Sequence, residues 1–192
     1  MVVRAGVDTV EHGWYLTEEN CRTLIAHKVH LVPTASNIGS IARRGPALNM
    51  PWAGMVAEEE PEIMDRFRMA IDMGVKIAAG TDIGGNESHP HLGENAREIE
   101  VYVQCGMPEL AAIGSTTLEA ARAINRDKQI GSIESGKKAD LVVIDQDPLS
   151  DISRVRTDVV AVIQSAIVRR DDLGLFDPVR AALKSNNQSN RS

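Results

Sequence analysis

Three short apolar segments of this sequence each end in a side chain that can do chemistry. The segments begin near residues 7, 30 and 76, and they end at His12, Thr34 and Asp82. In parallel α/β sheets and barrels, the working residues sit at the carboxyl ends of the strands. The repeated placement therefore predicts that these three side chains contribute to one site.

Asp82 raises the sharpest question, because it lies where the apolar run "KIAAG" opens into the glycine-rich "IGGN". An ionised carboxylate at such a place needs a partner, since taking it out of water costs several kcal/mol or more. The competing interpretation is a turn-forming or helix-capping acid. His12 could likewise be a hydrogen-bonded core histidine, and Thr34 could either pack the strand end or line a pocket.

The composition excludes several classes of function. The chain has 192 residues, 43% of them hydrophobic, and a net charge of −6. A nucleic-acid partner would require a basic patch, which is missing from the sequence. Cys21 and Cys105 belong to no metal or redox motif and indicate a reducing compartment. No apolar run approaches the roughly 20 residues that span a bilayer. With no signal peptide visible, we expect a cytoplasmic protein, unless a longer parent carries a leader.

The order of the elements predicts an α/β fold with three parts. Strands and helices alternate over residues 1–126, which is typical of a parallel layer, and Thr17 begins the first helix. Residues 36–57 show no sustained period and read as a long lid loop, in which Trp52 could face substrate or solvent. Residues 127–170 are β-rich, and 171–192 form a tail whose polar end is expected to be disordered.

Five segments, in this order and spacing, resemble the metal-dependent amidohydrolase superfamily, in its imidazolonepropionase and Xaa-Pro dipeptidase-like branch. Each segment alone is modest support, but the ordered set covers nearly the whole chain. The matching segments are "AGVDTVEHG" (5–13), "LVPT" (31–34), "AAGTDIGG" (78–85), "HLGEN" with "REIE" (91–100) and "GSIESGKKADLVVIDQDPLSDI" (131–152).

The resemblance implies a TIM-type (β/α)₈ barrel with a small β-sandwich, of which this chain supplies barrel strands six to eight and part of the sandwich. His12 then corresponds to a metal ligand, and Asp82 to a second ligand that also takes a proton from the attacking water. His91 corresponds to a loop histidine that faces the substrate. Thr34 is a second candidate for substrate contact, through its place at a strand end. The expected cofactor is a divalent metal, Zn²⁺ above all, as one or two ions in the intact parent.

The family's remaining ligands, a His-x-His, a carboxylated lysine and a further histidine, would all lie before residue 1. The "HPH" at 89–91 is a poor substitute for the His-x-His, because it follows the last strand instead of ending the first. A complete barrel takes about 250 residues. We therefore expect the C-terminal part of a hydrolase acting on amide or cyclic amide bonds of a small molecule or dipeptide, with negligible activity alone.

Two other functions remain open at this stage. The chain could be a non-catalytic half-barrel that serves as an interaction module, or a remnant of a metal-dependent lactonase or phosphoesterase. Strands without neighbours expose unpaired edges, which favour association. The expected partners are therefore a small-molecule substrate and either an N-terminal half or a second copy of the chain, with neither nucleic acid nor membrane involved.

Overall fold

The computed structural model of the protein describes residues 2–45, 47, 49–84 and 93–178. These residues divide into two compact units, one up to Ser132 and one from Ile133 onward. This division does not test the domain boundary predicted between residues 126 and 127, which stays a prediction. The predicted disorder of the chain end concerns residues outside the described ranges. No helix within the described ranges is long and apolar enough to cross a bilayer.

The first unit is built around β2, which lies between β1 and an extended segment near residue 77. β1 pairs with β2 in parallel, and Leu31 of β2 forms an isolated parallel bridge with Ile77. The strand predicted over 76–82 is thus reduced to this one bridge. After a single 3₁₀ turn at Val2–Ala5, the elements are β1 (Thr9–Glu11), α1 (Glu18–His27), β2 (His30–Val32), α2 (Ala35–Arg44), α3 (Ala53–Asp72), α4 (Arg97–Gln104), α5 (Glu109–Thr116) and α6 (Leu118–Ala123).

The start of α1 follows the prediction. The Thr17 hydroxyl accepts a hydrogen bond from the backbone N–H of Asn20, and the Asn20 side chain accepts one from the backbone N–H of Thr17. This reciprocal pair is a capping box, which satisfies two donors that the first turn would otherwise leave unpaired. It fixes the direction in which the chain leaves β1.

The prediction of a lid loop over 36–57 is wrong, because most of this stretch is helical. α2 occupies its first part and α3 begins at Ala53. Every residue of α2 from 35 to 42 is buried. The sequence of α2 does carry a helical period, since Ala35, Ile38, Ile41 and Ala42 recur at helical spacing. The polar residues between them, Ser36, Asn37 and Ser40, suggest a loop but are buried as well.

Glu98 of α4 holds the beginning of α2. The side chain is fully buried, and its two carboxylate oxygens accept hydrogen bonds from the backbone N–H groups of Ala35, at 2.7 Å, and Ser36, at 2.8 Å. The side chain of Thr34, at the N-cap position, makes no capping bond. Burial raises the pKa of the Glu98 carboxyl, and the hydrogen bonds from Ser36 and Ala35 oppose that rise. The first turn of α2 is therefore anchored by a carboxylate from another helix.

The second unit contains a three-stranded antiparallel sheet with β4 in the middle. Two residues in the left-handed conformation, Ser165 and Ala166, connect β4 to β5, as in a tight hairpin. Asp140 accepts a hydrogen bond from the backbone N–H of Ser165 at 2.7 Å, which gives it a structural task. The elements are β3 (Leu141–Ile144), α7 (Arg154–Thr157), β4 (Val159–Gln164) and β5 (Ile167–Asp171).

A methyl group at Gly80 should disturb the segment that leads to Asp82. An ideal Cβ there would lie 2.5 Å from Cγ1 of Val32 in β2, so Gly80→Ala should destabilise the fold by about 1–3 kcal/mol through overpacking. Urea unfolding measures the loss. Gly54→Ala is the matched control, because nothing lies within 4 Å of its Cβ position in α3. Adding Val32→Ala should restore part of the loss, and a double variant with no restoration would contradict this account.

Replacement of Glu98 by glutamine should weaken the anchor of α2. The amide group presents an NH₂ where a backbone N–H needs an acceptor, so we expect Glu98→Gln to lose about 1–3 kcal/mol of unfolding free energy. Glu58→Gln, an exposed change in α3, is the control and should be close to neutral.

The loss should also depend on pH. Because the folded pKa of Glu98 is raised, the folded protein binds the proton more readily than the unfolded chain. The stability of the unaltered protein should therefore fall as pH rises from the ordinary carboxyl pKa of about 4.3 towards the raised value, and then level off. Glu98→Gln lacks this component, so the deficit of the variant should be largest at the acid end. If the deficit of Glu98→Gln did not change with pH, the raised pKa of Glu98 would be contradicted.

Candidate active site

The three residues predicted to form a site share an uncommon backbone conformation. His12, Thr34 and Asp82 have φ values of 64°, 53° and 50°, all in the left-handed region. This region costs a residue with a Cβ roughly 1–2 kcal/mol, and it is rarest for β-branched residues such as threonine. Such strain collects where function requires it. Five other non-glycine residues of the described chain also adopt this conformation, so it marks tight turns, three of which carry the predicted site residues.

His12 is oriented by Thr34. The Nδ1 atom of His12 lies 2.9 Å from the Thr34 hydroxyl oxygen, and the His12 backbone N–H donates to the carbonyl of Val32 at 2.8 Å. The indole of Trp14 stands edge-on to the imidazole, with 6.4 Å between the ring centres. With Nδ1 engaged by the hydroxyl, Nε2 is the ring nitrogen available to a ligand.

Asp82 is oriented by Asn37. The Asn37 amide donates from Nδ2 to Oδ2 of Asp82 over 3.1 Å. Asn37 is only 4% exposed, whereas Asp82 is exposed to solvent. The premise that Asp82 needs a partner because it is buried is therefore wrong. Its fixed position comes instead from the amide of Asn37.

The beginning of α2 positions the side chains of both His12 and Asp82. Thr34 and Asn37 flank the first turn of α2, so the hydrogen bonds to His12 and to Asp82 start from neighbouring points of one rigid element. Glu98 accepts hydrogen bonds from the backbone N–H groups of that same turn. The geometry of the site thus depends on the packing of α4 against α2.

His12, Asn37 and Asp82 line one pocket of about 440 Å³. Volumes of this order are typical of small-molecule sites. The remainder of the lining consists of large apolar and aromatic side chains, namely Trp14, Tyr15, Ile41 and Trp52. The structure therefore brings His12 and Asp82 to one pocket. Thr34 is not among the described lining residues, but it hydrogen-bonds to His12.

The described residues supply two donors of the kinds that bind a divalent metal, an imidazole nitrogen and a carboxylate. Catalytic zinc sites normally use three protein ligands and a water. Within the described ranges there is no group of three or more histidine, cysteine, aspartate or glutamate side chains that could hold a metal. His91 and the "HPH" run lie outside the described residues. The donor types fit a divalent metal, but the described set is incomplete.

Sequence reasoning missed Asn37, Trp14 and Glu98 as parts of this region. Asn37 was missed because α2 was interpreted as a loop. A helix that begins after Thr34 places Asn37 on its first turn. Glu98 belongs to the "REIE" segment, but nothing in the sequence tells which backbone groups a buried glutamate accepts. Trp14 follows the strand-end glycine and carries no signal of its own.

Comparison with known proteins identifies the family. The family model described as "Amidohydrolase family" matches residues 1–169. The crystal structure of a Xaa-Pro dipeptidase with methionine bound in its active site superposes with a TM-score of 0.80 and 35% identity, over 88% of this chain and 41% of that one. An imidazolonepropionase of Thermoanaerobacter pseudethanolicus is 34% identical over 121 residues, which are 58% of this chain and 28% of the relative.

A 5-methylthioadenosine/S-adenosylhomocysteine deaminase of the same organism is 29% identical over 131 residues, which are 65% of this chain and 30% of the relative. The chain thus spans less than half the length of each of these proteins. Members of this family generally depend on divalent metals and share the TIM-barrel fold. The chain belongs to the amidohydrolase family, in the branch of imidazolonepropionases and Xaa-Pro dipeptidases, which are hydrolases acting on carbon–nitrogen bonds.

Proposed function

We propose that the chain forms the last part of a metal-dependent amidohydrolase barrel. β1, β2 and the segment ending at Asp82 correspond to strands six, seven and eight, and the antiparallel sheet β3–β5 is a portion of a small β-sandwich. The parallel order around β2 supports this assignment. So does the match to 41% of the dipeptidase chain.

The reaction we propose is hydrolysis of a C–N bond, in an amide or cyclic amide of a small molecule or a dipeptide. The observation that carries it is the shared pocket of His12 and Asp82, with each side chain held by a partner at the start of α2. A bound divalent cation, Zn²⁺ in our proposal, would supply Lewis-acid activation of water and of the carbonyl. One or two ions would require further ligands from outside the described residues.

The residues of this chain divide the work as follows. His12 offers Nε2 as a ligand, because Thr34 engages Nδ1. Asp82 acts as general base: it accepts a proton from the attacking water as the new C–O bond forms, and passes it to the nitrogen as the C–N bond breaks. Asn37 donates to Oδ2 of Asp82 and so orients the carboxylate for this transfer. We also propose that His91 faces the substrate.

The partner we propose is the preceding part of the barrel. β1 pairs with β2 alone among the described strands, which leaves its other edge open. Val2 and Tyr15, which line one cavity together with Val10 of β1, are 58% and 59% exposed. An adjoining strand and helix would cover this surface, and a second copy is the competing occupant. The two cysteines are buried and unpaired, which favours a cytoplasmic location.

Asp82→Asn should abolish most activity in a longer protein that contains this chain and the rest of the barrel. Removing the general base should lower kcat by about 10²–10⁴-fold. Turnover of Xaa-Pro dipeptides and N-acyl amino acids, together with zinc content, provides the measurement. Asp72→Asn, an exposed change at the end of α3, is the control and should leave kcat unchanged. Full activity in Asp82→Asn would exclude the proposed role.

The purified chain alone should show negligible turnover, because its described residues supply two metal donors rather than three. Addition of a separately produced N-terminal portion should restore activity, and His12→Ala should prevent the restoration. Turnover by the chain alone with added zinc, at about 1 s⁻¹ or more, would contradict the incomplete site. Absence of activity in the combined halves would favour a non-catalytic half-barrel.

A further inference from the structure

We propose that the wall formed by Trp14, Ile41 and Trp52 binds an uncharged apolar group of the substrate, such as an aromatic ring or a branched aliphatic side chain. The inference deepens the proposed function and rests on it for the bond that reacts. It concerns recognition, and it can be tested by binding alone.

The charges around the pocket argue against an anionic group at this wall. Asp82 is the one acidic side chain among the described lining residues, and neither lysine nor arginine is among them. Arg43 belongs to α2 but lines a different cavity, beside Glu60 and Glu100. A carboxylate or phosphate placed against the tryptophans would find no basic side chain among the described lining residues. A metal ion held by His12 and Asp82 would serve the reacting carbonyl instead.

Arg66 contacts one lining residue, Tyr15, but its charge is already paired. Its guanidinium lies 5.5 Å from the ring centre of Tyr15 and forms an ion pair with Glu62. The Tyr15 hydroxyl donates to Glu59 at 2.7 Å, and this bond raises the pKa of Tyr15. The polar end of Tyr15 is thereby occupied, which leaves its ring as the part that lines the pocket.

The apolar wall has the stiffness and size that recognition requires. Ile41 is 3% exposed and belongs to α2, which is buried along most of its length. Trp52, in contrast, is 40% exposed, so a ligand can still remove much of its surface from water. Burial of apolar area contributes about 25 cal/mol per Å², and offset or edge-on aromatic pairs add about 0.5–1.5 kcal/mol.

Asp82 gives the apolar group a direction. Its carboxylate lines the same pocket as the tryptophans and is held by the Nδ2 group of Asn37. In the proposed reaction the carbonyl of the substrate lies towards Asp82. The apolar group on the tryptophans therefore belongs to the part of the substrate next to the bond that reacts.

The sequence offers an unusually direct readout. The chain has two tryptophans, Trp14 and Trp52, and both line this pocket. Intrinsic fluorescence of the purified chain, excited at the red edge where neither phenylalanine nor tyrosine absorbs, therefore reports on these two tryptophans alone. Three probes separate the possibilities: N-acetylphenylalaninamide, N-acetylglycinamide, which lacks the apolar group, and the anion of N-acetylaspartic acid α-amide.

The phenylalanine probe should change the fluorescence saturably and bind at least about tenfold more tightly than the glycine probe, since burying a phenylalanine side chain contributes about 1.5–3 kcal/mol. The anionic probe should bind no better than the glycine probe. Trp52→Ala should remove the advantage of the phenylalanine probe, with Trp14 as the remaining reporter, and Trp52→Phe should keep it. Leu110→Ala, an exposed apolar change in α5, is the control and should have no effect.

Equal affinity for the phenylalanine and glycine probes, tighter binding of the anion, or no saturable change at all would each overturn the proposal. So would a Trp52→Ala chain that keeps the full advantage. These outcomes are independent of turnover. A chain that shows the expected binding pattern, in a parent whose activity survives Asp82→Asn, would overturn the proposed function and leave the apolar wall intact.

Discussion

The contacts that orient His12 and Asp82 start from a helix turn anchored by one buried carboxylate. Glu98 accepts two backbone N–H groups at the start of α2, and Thr34 and Asn37 flank that same turn. Thr34 then contacts His12, and Asn37 contacts Asp82. Burial of the carboxylate is costly, as its raised pKa shows, but the N-terminal end of a helix favours negative charge. A single electrostatic contact between helices thus fixes the relative geometry of two separate strand ends.

The same arrangement explains how the chain tolerates strain at its functional edge. His12, Thr34 and Asp82 all adopt left-handed backbone conformations, although none is glycine. Such residues persist where the surrounding structure over-determines them. Here His12 also donates its backbone N–H to Val32, and Gly80 allows the Asp82 segment to pass close to the same valine. The close packing around β2 therefore stabilises turns that the local sequence disfavours.

The sequence predicted the parts of the fold that have a local cause. The cap at Thr17 and the strand ends at His12 and Thr34 follow from residue type and spacing, and the ordered motifs identified the family. α2 was missed although its apolar residues recur at helical spacing, because the glycine and polar residues between them are typical of a loop and only packing buries them. The contacts of Asn37 and Glu98 could not be predicted either, because each joins residues 45 or more positions apart. Only packing decides which buried polar groups meet.

Recognition and reaction have different requirements in this chain. The apolar wall and the orientation of Asp82 arise from contacts within the first unit, so the binding we propose for a neutral amide relies on residues of that unit. The proposed metal donors are different, because His12 and Asp82 are two where a catalytic zinc site uses three. Coordination is also less forgiving than apolar contact, since a missing ligand leaves the ion weakly held, whereas a partly built apolar wall still buries area. Our proposals therefore predict that the chain alone recognises a substrate without the chemistry that acts on it.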